Sequence, residues 1–82
     1  MVDDKSELQA DQTVDARGLA CPLPLLRAKV ALNGMTVGQV LYLTATDAGS
    51  QRDILRFAEL SGHKLLHADS RDGEFHYWLS KG

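Results

Sequence analysis

Gln39-Val40-Leu41-Tyr42-Leu43-Thr44-Ala45-Thr46 is apolar almost without a break and rich in β-branched and aromatic side chains. Opened by Gly38 and closed by Asp47-Ala48-Gly49, it reads as a strand inside a sheet rather than at its edge. The elements on either side follow from this anchor. Upstream, Pro22 and Pro24 fit the opening turn of a helix, where a missing N–H costs little. Asn33-Gly34 supplies its stop. The start falls at Pro22 or at Pro24, because a residue before proline disfavours helical angles. Leu26 with Val30, and Leu25 with Leu32, recur at helical spacing and are expected to face inward, with Arg27 and Lys29 on the wetter side. Thr13-Val14-Asp15-Ala16 is a short strand ahead of the turn Arg17-Gly18-Leu19-Ala20.

Downstream, Ser50 is expected to cap a second helix, with Asp53 three residues on in a capping-box position. Ile54, Phe57, Ala58 and Ser61 form its inward stripe, and Gly62 ends it. His63–Asp69 and Glu74–Ser80 read as two strands joined through Ser70-Arg71-Asp72-Gly73, whose Asp-Gly pair is a hairpin signal. In the last strand Phe75, Tyr77 and Leu79 are expected to face the helices, and His76, Trp78 and Ser80 the other way. The order is β-α-β-α-β-β. Two helices cover one face of a four-stranded mixed sheet, so the expected fold is an α/β two-layer sandwich whose second face is open or covered by a partner.

The chain has 82 residues, 44% hydrophobic and 24% charged, which is ordinary soluble-domain usage. A chain of this size buries roughly 60% of its unfolded surface, so a thin core forms without staples. Residues 1–12 hold four acids against one lysine, while residues 13–82 hold eight basic and seven acidic side chains. The segment 1–12 is therefore expected to be a flexible acidic leader, and 13–82 a single nearly neutral domain. A basic face for nucleic acid is missing, so direct nucleic-acid binding is not expected. No apolar stretch reaches membrane-spanning length, and Met1-Val2-Asp3-Asp4 lacks the pattern of a secretory signal. The expected compartment is the cytoplasm, in keeping with a lone cysteine, Cys21.

Cys21-Pro22-Leu23-Pro24 is the constellation with chemistry in it. Pro22 holds Cys21 in an extended conformation at the helix entrance, and the paired prolines stiffen that entrance. The positive end of the helix dipole favours thiolate over thiol. Because the prolines remove two donors, the thiol is expected to be lowered modestly, with the N–H groups of Cys21 and Leu23 and a nearby arginine assisting. Arg17, Arg27, Arg52 and Arg56 are the candidates; Arg52 joins the site if both helices follow parallel strands.

The stretch Val14-Asp15-Ala16-Arg17-Gly18-Leu19-Ala20-Cys21-Pro22-Leu23-Pro24 resembles the N-terminal signature of the TusA/SirA family of small sulfur-carrier proteins. Supporting matches run from Asp47 through Arg52-Asp53-Ile54 to Phe57, then Gly62-His63 with Leu65-Leu66, and finally Tyr77 to Lys81-Gly82. The resemblance covers about residues 13–82. It implies the same two-layer sandwich and a sulfurtransferase role as a persulfide carrier, without metal or organic cofactor. Cys21 then accepts sulfane sulfur from a cysteine desulfurase or similar donor and passes it to an acceptor protein. Pro22 and Pro24 are then its structural support; apart from the resemblance, Arg17, Arg27, Arg52 and Asp53 are candidates for thiolate stabilisation or partner docking. Members of the family serve tRNA thiolation, molybdenum-cofactor maturation or dissimilatory sulfur metabolism. Leu23 stands where the tRNA-thiolation members carry an acidic residue.

Other constellations are weaker. His63 and His67 on one strand lie roughly 13 Å apart, too far to share an ion. Tyr42, Phe75, Tyr77 and Trp78 resemble stacking platforms for nucleic acid less than the packing a thin core needs. The competing function is a non-catalytic regulatory or adaptor module that binds a protein or RNA through the open sheet face.

Overall fold

The structure, a computed structural model, describes residues 10–82. Six elements occur in the order β1 (Gln12–Ala16), α1 (Leu23–Asn33), β2 (Val40–Ala45), α2 (Gly49–Ser61), β3 (Lys64–Arg71) and β4 (Glu74–Ser80). The sheet order is β1-β2-β4-β3, with β1 and β2 parallel and β4 antiparallel to both of its neighbours. This is the expected mixed four-stranded sheet with two helices, and the apolar run 39–46 does occupy an interior position. The expected leader falls mostly on residues 1–9, outside the described residues. Asp11 lies against the sheet: its N–H donates to the Val40 carbonyl, and its carboxylate accepts from the Val40 N–H.

The core lies between helices and sheet. Leu32 of α1, Ile54 of α2, Leu41 and Leu43 of β2 and Leu79 of β4 are fully buried there, each worth about 1.5–3 kcal/mol relative to exposure. Phe75, Tyr77 and Leu79 point into this layer as expected. Tyr77 keeps its hydroxyl satisfied by Ser50 Oγ at 2.8 Å. The hairpin between β3 and β4 turns on Asp72 and Gly73, with φ of 53° and 79°, the left-handed pair that a two-residue turn requires.

Two local expectations are corrected. The inward face of α1 is Pro24, Ala28 and Leu32. Leu26 is 46% exposed and Val30 71% exposed, because the small residues Pro24 and Ala28 let the helix settle closer to the sheet. Ser50 does not cap α2: the cap position falls two residues earlier, at Ala48, with no side-chain cap on that residue. Asp47 initiates it instead, accepting the Gly49 N–H on its carboxylate and the Ser50 N–H on its carbonyl, each at 3.0 Å. Ser50 is thereby freed to turn inward toward Tyr77.

The parallel pairing of β1 with β2 has one consequence for function. Both strands deliver the chain to the same edge of the sheet, so α1 and α2 begin side by side.

Candidate functional site

Cys21 is the free cysteine of the chain, and it is exposed. It sits at the entrance of α1, where the Cys21–Pro22 peptide is cis and Pro22 is the residue before the first helical position. Pro24 is fully buried, so the second proline pins the first turn to the core while the first stays at the surface with the thiol. The start of α2 closes the other side. A Cβ added at Gly49 would lie 3.3 Å from Cys21 Cβ and 3.5 Å from Sγ. A glycine thus leaves the second helix free to sit close against the cysteine.

One turn further along α2, Asp53 reaches the thiol itself. Helical side chains lean toward their N-terminus and residues four apart share a face, so Asp53 leans back over Gly49. Cys21 Sγ donates a hydrogen bond to Asp53 Oδ2. This contact pushes the thiol pKa up, assisted by desolvation and by the negative charges of Asp53 and Asp47; Arg52 pulls the other way. The expected lowering is therefore overturned. Two local facts explain the reversal. The Leu23 N–H, one of the donors expected to serve a thiolate, is taken by the Ala20 carbonyl at 2.9 Å. Two carboxylates stand at the site against one guanidinium.

The arginines separate. Arg52, at the start of α2, is exposed and close enough to act on the thiol. Arg17 is not at the site: its guanidinium bonds Asp15 at 2.9 Å and 3.0 Å and reaches Glu74 at 3.4 Å. That ion pair holds the Asp15 carboxyl down at about 2. Arg27 is exposed on α1 and has no ion-pair partner among the described residues. Asp53, expected as a cap and a candidate for docking, is in direct contact with sulfur. Gly49 and Asp47 were not singled out for this site; the spacing of Gly49 and Asp53 by one helical turn was the available signal.

The surface around the sulfur is apolar on one side and grooved on another. Leu23, Leu26 and Val30, at helical spacing on α1, are 44%, 46% and 71% exposed and run away from Cys21 as a stripe. Between the helices a groove of about 300 Å³ starts at Asp53 and is lined by Leu25, Lys29, Arg56, Phe57 and Leu60. No group of metal-ligating side chains converges among the described residues.

The family model described as Sulfurtransferase TusA matches residues 12–81. The Sulfur carrier protein TusA of Allochromatium vinosum is 49% identical over 71 residues, covering 87% of this chain and 93% of that protein. A putative sulfur carrier protein of Bacillus subtilis, YrkI, is 37% identical over 75 residues, 92% of this chain and 100% of its own. A SirA-like protein from Desulfitobacterium hafniense, known from its crystal structure, superposes with a TM-score of 0.75 at 29% identity, covering 87% of this chain and 97% of that one. With the family model spanning residues 12–81 and a relative 49% identical over 87% of the chain, the chain belongs to the TusA family of sulfur carrier proteins.

Proposed function

We propose that the protein is a persulfide carrier in which Cys21 takes the outer sulfur of a donor's persulfide and yields it to an acceptor. The observation that carries this reading is the placement of the chain's one thiol, exposed where two helices begin. Sulfane transfer is an exchange between thiolates at sulfur; it needs a reachable sulfur atom and no deep cavity. A cysteine desulfurase is the natural donor class, because it presents its sulfur as a cysteine persulfide. The acceptor is a second protein in tRNA thiolation or another route of sulfur trafficking, and the compartment is the cytoplasm.

The stripe Leu23, Leu26 and Val30 supports a protein partner on the α1 side. Its first member stands beside Cys21, so a docking chain meets apolar surface there rather than the acidic residue of the tRNA-thiolation members. The experiment is direct. Incubation with a cysteine desulfurase and free cysteine is expected to add one sulfur to the intact mass. Reductant removes it, and Cys21→Ser never gains it. Failure to load from several desulfurases favours the adaptor reading instead.

A further inference from the structure

The Cys21 thiol donates its hydrogen to Asp53, yet the nucleophile in sulfur exchange is the thiolate. At the moment of attack a proton must leave Sγ. The group placed to receive it is the Asp53 carboxylate, which already accepts the hydrogen bond from Sγ. Gly49, by permitting the close approach of α2, brings that carboxylate within reach. Asp53 is itself half-buried, while Cys21 is exposed to an approaching donor. Arg52, the cation near the thiol, is a hydrogen-bond donor only and cannot take the proton.

We propose that Asp53 is the general base of sulfur acceptance, a role that rests on the carrier reading and that sequence reasoning had assigned to thiolate stabilisation or docking. The Cys21 S–H bond breaks toward Asp53 Oδ2 as Sγ bonds to the outer sulfur of the donor's persulfide, R–S–SH. The donor's S–S bond breaks, and its electron pair leaves on the donor cysteine as R–S⁻. Cys21 becomes Cys21–S–SH, Asp53 is momentarily the acid, and its proton passes to R–S⁻ to give R–SH. No net electron is gained or lost by the pair of proteins; one sulfur atom has moved.

The role makes two measurements diverge. Asp53→Asn keeps the shape and removes the charge that disfavours thiolate. Alkylation of Cys21 by iodoacetamide is then expected to become faster at neutral pH, with the midpoint of its pH–rate profile moved down. Sulfur uptake in a single turnover, read by intact mass, is expected to become slower, by roughly a hundredfold within the span typical of a lost general base. The slowing is expected with a persulfide-loaded desulfurase and equally with cysteine persulfide, which has no docking face. Asp53→Glu is expected to restore much of the uptake, and circular dichroism confirms that each variant is folded. Uptake by Asp53→Asn that matches or exceeds the wild type overturns the assignment, as does a slowing confined to the protein donor. Absence of uptake by the wild type itself overturns the carrier reading, and this inference with it.

Discussion

Cys21 and Asp53 are 32 positions apart in the chain, and the fold brings their side chains into contact. The hinge of their meeting is Gly49. A Cβ there would stand 2.9 Å from Asp47 Oδ2 and 3.3 Å from Cys21 Cβ. Gly49→Ala displaces the tip of a flexible carboxylate, which is cheap, and crowds the cysteine slightly. Gly49→Val adds bulk at the sulfur itself. Valine at this position is expected to leave the circular dichroism spectrum unchanged while slowing both alkylation and persulfide loading several-fold; equal rates would mean the thiol does not depend on that gap. The cysteine's importance was legible because two prolines frame it. Its raised pKa was not, because the carboxylate responsible arrives from another helix, and the α1 dipole is opposed by charges that are remote in sequence.

Among the elements, α1 shows where periodicity fails. Its sequence Leu23-Pro24-Leu25-Leu26-Arg27-Ala28-Lys29-Val30-Ala31-Leu32-Asn33 places apolar residues all round the cylinder, so more than one inward stripe satisfies the spacing. The sheet selects the stripe with the smaller side chains, Pro24 and Ala28, closed by the fully buried Leu32. Leu32→Ala is accordingly expected to cost about 2–5 kcal/mol, and Val30→Ser to stay within about 0.5 kcal/mol, both read by urea denaturation. Comparable losses at the two positions would return the helix to the expected orientation. In α2 Ile54 and Ala58 are inward as read, with Phe57 packed beside them, but Ser61, expected on the same stripe, is exposed at the helix end. The β3–β4 hairpin was plain, because an Asp-Gly pair leaves few alternatives to a tight turn. The misplaced cap at Ser50 came from reading a serine as a helix opener when its hydroxyl was needed by Tyr77 inside the core.

At the scale of the whole molecule, the two faces of the sheet have different work. The helices and Cys21 belong to one. On the other, Tyr42 stacks on Trp78 with centroids 4.8 Å apart, and Tyr42 Oη meets His76 Nδ1 at 2.6 Å. His67 tilts against Trp78 from β3. These rings spend much of their surface on one another. Trp78→Ala is therefore expected to lower stability by about 3–5 kcal/mol or less, given that the ring is only partly buried, with persulfide loading of Cys21 unchanged. A loading defect in a folded Trp78→Ala protein would instead give the open face a part in transfer.

The outermost strands bear on how such a protein meets others. β3 is a border of the sheet, and its pairing with β4 slips between Leu65 and His67, leaving Leu66 as the surplus residue. β1, on the opposite border, is only five residues long. An irregular margin and a stubby one make poor templates for adding a foreign strand. Such margins favour contacts through side chains over the backbone-to-backbone pairing that makes complexes long-lived. For a courier that must surrender its cargo and move on, weak adhesion is an advantage.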